Sequence, residues 1–136
     1  VFSNKSTYAL RALAVLAKKY GKEPVLIGEI SRLEKIPQKF LELILLELKQ
    51  NGYLESKKGI HGGYWLAKPP DEIIIGNIIR ILDGPLPGIR CNQTNPNRPC
   101  EGCPGKDECR VNSLMNNVTN AVSHVLDNYS LSEFAA

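Results

Sequence analysis

Leu26–Leu66 reads LIGEISRLEKIPQKFLELILLELKQNGYLESKKGIHGGYWL, and its pattern decides the fold. Ile27, Ile30 and Leu33 recur at helical spacing and predict a short helix with these three side chains inward. Lys35-Ile36 makes a tight link, and Pro37 falls at the first turn of a second helix, where its fixed φ is already helical and its missing N–H costs nothing. That helix carries Phe40, Leu41, Ile44, Leu45 and Leu48 to a stop at Asn51-Gly52. Two helices on so short a joint form a helix-turn-helix. Tyr53–Lys58 and Tyr64–Ala67 are strand-compatible, and Gly59, Gly62 and Gly63 supply the turn between them. A hairpin directly after a helix-turn-helix is a wing. Its tip carries Lys57, Lys58 and His61, and lysines there suit phosphates or a minor groove.

Outward to the N-terminal side, residues 3–20 place Tyr8, Ala9, Ala12, Leu13, Val15, Leu16 and Tyr20 close to helical spacing, with Ser3 or Ser6 as cap and Gly21 as stop. On the other side, Pro69-Pro70 closes the wing. A helix then opens over Ile73–Gly76, buries Ile78, Ile79, Ile81 and Leu82, and ends at Gly84-Pro85. All four cysteines follow within Cys91–Cys109, CNQTNPNRPCEGCPGKDEC, a stretch with no apolar run to give it a core. Thiolates holding a metal or cluster would order such a loop. Beyond it, Val111, Leu114, Met115, Val118, Val122, Val125 and Leu126 mark one face of a long amphipathic helix. Such a helix beyond a DNA-binding half is a natural dimer element; the alternative is that it packs only on its own core. Leu131 and Phe134 are expected to pack down in a final turn.

The chain of 136 residues is about one domain's worth, with 43% hydrophobic and 23% charged residues, enough for a compact core. Residues 1–70 carry twelve Lys/Arg and six Asp/Glu, a net +6, whereas residues 71–136 carry five and eight, a net −3. A basic first half points to a polyanionic partner. No apolar run approaches the ~20 residues of a membrane span, and no secretory pattern is present, so the expected compartment is cytoplasmic and reducing. There, clustered cysteines read as metal-binding or redox-active rather than as structural disulfides. His61 and His124 have no nucleophile–base set near them in sequence, which gives an enzyme little support.

Several stretches together resemble one family: YALRAL at residues 8–13, GEISRLEKIPQKFLELIL at 28–45, LKQNGYLESKKGIHGGYWLAKPP at 48–70, IGNIIRILDGPL at 75–86, and cysteines before a final helix. They look like the bacterial winged-helix transcription regulators of the IscR/NsrR/CymR family, over essentially the whole chain. The resemblance implies a mainly α, winged helix-turn-helix homodimer on double-stranded operator DNA. It implies a reader over residues 1–83, a cysteine loop over 84–110 and a dimerisation helix with its tail over 111–136. Some members bind an iron–sulfur cluster through three loop cysteines, which match Cys91, Cys103 and Cys109 here; Cys100 is additional. The fourth ligand of IscR-like members, a histidine, is replaced by Asn112, and that of NsrR-like members, a carboxylate, by Thr7. Cys100 is the candidate to complete an all-cysteine site; the alternative is a spare thiol, with a water, a small thiol or a carboxylate such as Glu101, Asp107 or Glu108 as the fourth ligand. The expected cofactor is an iron–sulfur cluster, [2Fe–2S] in preference to [4Fe–4S], with zinc as the alternative because both take soft thiolates. A metal-free disulfide sensor and an electron-transfer protein are further readings; the last leaves the basic half unexplained.

For DNA, the second helix of the pair should enter the major groove with its N-terminal residues at base edges. Gln38 there can read adenine, Lys39 guanine or phosphate, and Glu42 cytosine. By position, Lys39, Glu42 and Leu43 match three readers of IscR-like relatives, which have serine, glutamate and glutamine, and Lys58 matches a minor-groove arginine of the wing. The expected mechanism is that gain or loss of the cluster changes the order of the loop, and so the placement of the two reading heads.

Overall fold

The computed structural model describes residues 3–84 and 109–136. Helix α1 spans Asn4–Lys18. The Ser3 hydroxyl caps it by accepting the Ser6 N–H at 3.1 Å, satisfying one of the first-turn amides that have no partner within the helix. Ala9, Ala12, Leu13 and Leu16 are its buried apolar residues, whereas Tyr20 lies beyond its end and is exposed. Helices α2 (Ile27–Glu34) and α3 (Gln38–Gln50) follow. Of the three residues expected inward on α2, Ile30 is buried, Ile27 is half-buried and Leu33 is exposed. An eight-residue helix packed chiefly against α1 and α3 buries little of its surface, and Leu33 falls on its open flank.

The joint between α2 and α3 is set by Lys35, at φ 54° and ψ 47°, and by buried Ile36. The Ser31 hydroxyl donates to the Ile36 carbonyl at 2.5 Å, and the Ile36 N–H donates to the Ser31 carbonyl at 3.1 Å. These two hydrogen bonds close the joint between the helices. Pro37 stands one position earlier than expected, as the cap before α3 rather than in its first turn.

Strands β1 (Leu54–Lys57) and β2 (Gly63–Leu66) pair antiparallel, with Leu54 opposite Leu66 and Lys57 opposite Gly63. A further rung joins the wing to the link before α2. The Val25 N–H donates to the Tyr64 carbonyl at 2.9 Å, and the Tyr64 N–H returns a bond to the Val25 carbonyl at 2.8 Å. Gly63 makes this approach possible: φ is +139°, and a Cβ would lie 2.5 Å from the Val25 oxygen.

A 3-10 turn over Pro70–Glu72 leads to α4 (Ile75–Asp83), two residues later than the sequence suggested. Ile73 and Ile74 stay extended because the tail pairs with them. The Leu131 N–H donates to the Ile73 carbonyl at 2.7 Å, and the Ile75 N–H donates to the Tyr129 carbonyl at 2.9 Å. Ile78, Ile79 and Leu82 are buried as expected, but Ile81 is only half-buried. Helix α5 runs Arg110–Asp127, and a short α6 covers Leu131–Ala135. Leu131 returns into the core formed by α1, α3 and α4, whereas Phe134 stays outside it, 38% exposed. Five residues make little more than one turn, and only its first position faces inward.

Helix α5 meets α4 at its C-terminal end. The Arg80 guanidinium makes a two-pronged contact with the Asp127 carboxylate, at 2.7 and 2.9 Å. The helices approach closely there: a Cβ on Gly76 would stand 2.3 Å from an Asp127 carboxylate oxygen and 3.3 Å from the Leu126 carbonyl carbon. No helix among the described residues is long and apolar enough to cross a membrane.

Candidate nucleic-acid interface and cysteine site

The N-terminal turns of α3 and the hairpin tip carry the residues expected at DNA. Gln38, Lys39 and Glu42 are all exposed on α3, and Lys57 and Lys58 are exposed at the end of β1. The tip is a closed turn rather than loose chain, with the Gly62 N–H donating to the Gly59 carbonyl at 3.0 Å.

Seven of the twelve basic residues of the first half bear on the reader and fall into two groups. Lys5 pairs with Glu47 at 2.6 Å and ties α1 to α3. Arg11 donates to the Glu34 carbonyl at the end of α2 and lies over the Tyr8 ring, 5.8 Å from its centroid. A cation at a helix C-terminus satisfies carbonyls that the helix leaves open. Lys49 donates to the Ser56 hydroxyl at 2.6 Å, and the Lys68 ammonium sits 4.6 Å from the Tyr53 ring centroid. These four hold the reader together. The side chains of Lys39, Lys57 and Lys58 make no ion pair or hydrogen bond with any described residue. Their charge remains available to an anion.

Of the four cysteines, Cys91, Cys100 and Cys103 lie outside the described residues. Cys109 is half-buried at the N-terminal cap of α5, where its sulfur accepts the Asn112 N–H at 3.4 Å. The last cysteine is thus the first fixed point of the long helix. Asn112 is the one buried residue of α5.

The apolar residues of α5 were read correctly as one face, but that face meets little of this chain. Val111 is 64% exposed, Leu114 60%, Val118 44% and Val125 59%. Met115 and Val122 are half-covered, and Leu126 packs against the core. Arg80 braces the C-terminal end of α5, and Asp83 joins the end of α4 to Ser3 at the start of α1. Arg80 holds the Asp127 carboxyl below its ordinary range, and Asp127 in turn raises the Arg80 guanidinium, in each case chiefly through their shared hydrogen bonds. Burial pushes the Asp83 carboxyl up, but hydrogen bonds, those from Ser3 among them, outweigh it and leave it lowered.

A mainly helical domain with a helix pair, a two-stranded wing and these exposed basic groups defines a winged helix-turn-helix transcription regulator. Comparisons with known proteins agree. The model of the family described as "Rrf2: Iron-dependent Transcriptional regulator" matches residues 2–136. The HTH-type transcriptional regulator IscR of Serratia proteamaculans is 31% identical over 131 residues, which are 96% of this chain and 76% of the relative. Among solved structures, CymR (YrzC), the global cysteine regulator of B. subtilis, superposes with a TM-score of 0.81 at 31% identity, covering 99% of this chain and 95% of that one. IscR of T. potens superposes with a TM-score of 0.77 at 27% identity, covering 98% and 85%. The chain belongs to the Rrf2 family, whose members are transcription regulators and not enzymes.

Leu43 already matches a reader of relatives by position, but sequence reasoning passed over Leu46 and Ile60. Leu43 and Leu46 stand exposed beside the polar readers of α3, and Ile60 projects from the wing tip. Helical spacing leaves Leu43 and Leu46 off the inward set Leu41, Ile44, Leu45 and Leu48, whereas a hairpin tip gives no such signal for Ile60.

Proposed function

We propose that this chain is a DNA-binding regulator that acts as a homodimer and whose operator affinity responds to an iron–sulfur cluster. Gln38, Lys39 and Glu42 would meet base edges or phosphates in the major groove, and Lys57 and Lys58 would reach the adjoining backbone or minor groove. Cys91, Cys100, Cys103 and Cys109 would hold the cluster, [2Fe–2S] in preference to [4Fe–4S].

One observation carries the coupling. Cys109 is the cap of the helix whose apolar side stands open, so ligation and dimer geometry converge on one residue. The donor chemistry fits: four soft thiolates suit iron or zinc. The Cys109 sulfur already accepts an amide hydrogen bond, the kind of contact that tunes cluster sulfurs. The bound cluster would supply a redox- and supply-sensitive crosslink of the loop; the chain's own part is to convert that link into a position of α5. The reader, loop and dimer modules would divide near residues 84 and 110. The reducing cytoplasm in which such DNA-bound regulators work would keep these cysteines as thiols.

A second reading replaces the cluster with zinc or with a thiol–disulfide couple. The likeness to Staphylococcus aureus CymR, a relative whose structure is known in an oxidized form, favours the thiol form over zinc. Anaerobic purification separates the three. A coloured protein with iron and acid-labile sulfide supports the cluster. A colourless protein with one zinc per chain, or one with no metal and reversible disulfides, replaces it and leaves the DNA reading intact. In the cluster case Cys91→Ala should abolish the iron-dependent change in operator affinity.

A further inference from the structure

Helix α3 buries Leu41, Ile44, Leu45 and Leu48 completely, yet leaves Leu43 65% and Leu46 46% exposed. At 100° per residue, Lys39, Leu43, Leu46 and Gln50 form a stripe along the side opposite the buried set. Folding does not require leucine at the two middle positions, since any helix-forming polar residue would serve there. A single exposed leucine needs no explanation. Two of them one turn apart, bordered by Gln38, Lys39 and Glu42 on the helix that faces the partner, form a small apolar strip inside a polar reader. The charge around the strip favours an anionic partner over a second protein surface, because Lys39, Lys57 and Lys58 have no acidic partner among the described residues.

In a major groove the one apolar group on a base edge is the C5-methyl of thymine. We propose that Leu43 reads a thymine methyl in each half-site, with Leu46 closing the contact against water. Lys39 lies one turn before Leu43 on the same stripe and Glu42 lies to one side of it, and these two make the polar contacts. The half-site therefore carries a thymine within a base step of the position that Glu42 meets. This assignment rests on the DNA reading above and specifies a determinant within it.

Uracil provides the test, because it keeps the pairing of thymine and removes only the methyl. The full chain, carrying whatever metal it binds, is used to select duplexes from a random pool, and each thymine of the selected half-site is replaced by uracil in turn. The expected result is one symmetric position where uracil weakens binding about fourfold per half-site, the worth of one buried methyl. Leu43→Ala should bind the thymine duplex more weakly by at least that factor and be indifferent to uracil at that position. Because Leu43 is exposed, its thermal melt should match the native chain. A uracil penalty that persists unchanged in Leu43→Ala, or no sensitive thymine in a selected site, overturns the assignment and leaves DNA binding standing. Failure to select any duplex overturns both.

Discussion

The open face of α5 gives the most quantitative prediction. Leu114 is 60% exposed in the single chain. Burying a leucine fully is worth about 1.5–3 kcal/mol, so covering the exposed share is worth about 1–2 kcal/mol. A two-fold dimer uses the residue twice, which gives about 2–4 kcal/mol for the pair. Leu114→Ala should therefore weaken dimerisation by about 30-fold to 900-fold, nearer the lower figure because alanine retains the Cβ. Sedimentation equilibrium over a concentration series reads the change directly. The thermal melt of the variant, measured where both proteins are monomeric, should be unchanged, since the leucine touches little of its own chain. A native chain that sediments as a monomer throughout, or a variant with the same dimer constant, would refute the reasoning and leave the face to some other partner.

Three further outcomes follow from the joint, the wing and the end of α5. Lys35→Gly should raise thermal stability by about 0.5–1 kcal/mol, because a non-glycine residue in the left-handed region carries about that strain; a loss would mean that the lysine side chain has a role in the joint. Gly63→Ala should destabilise the fold by at least about 1–3 kcal/mol in chemical denaturation, since the Cβ meets the Val25 backbone and no rotamer can relieve it; a neutral result would mean that the Val25–Tyr64 rung is dispensable. Asp127 has a depressed folded pKa, so the stability it lends through Arg80 is present above its unfolded pKa and is lost as pH falls through the folded one. Asp127→Asn should thus melt earlier than the native chain at neutral pH, with the two melting curves converging well below roughly pH 3.9; a difference that persists there would assign the effect to packing.

Much of the reader was legible because its signals are strong and local. The apolar spacing of α1 and α3, the stop at Asn51-Gly52 and the glycines of the wing each restrict the backbone in one way. What escaped was built from single rungs. The Val25–Tyr64 bridge and the pairing of residues 73–75 with 129–131 join segments far apart in sequence, and one or two hydrogen bonds leave no periodicity behind. The burial expected for Leu33 and Phe134 failed because very short helices offer the core fewer faces than their composition suggests. The face of α5 was visible in the sequence, but whether its own core would cover it depended on where α4 crosses, which Gly76 and Arg80 decide. At the cysteine site, spacing supplies the donors and α5 supplies one anchor, Cys109; Cys91, Cys100 and Cys103 fall outside the described residues.

Leu131 has a bearing on how the protein comes into being. The reading head takes this buried side chain from a segment synthesised after the cysteine stretch and the whole of α5. During translation the helix pair and wing can form from local contacts, but the core beside α1 lacks this side chain until residue 131 has been made. The head then closes in the same event that fixes the far end of α5 beside it. A nascent chain that has not reached this point has its DNA-facing surface but an incomplete core. Completion of the core is thereby linked to completion of the segment that carries the cysteines.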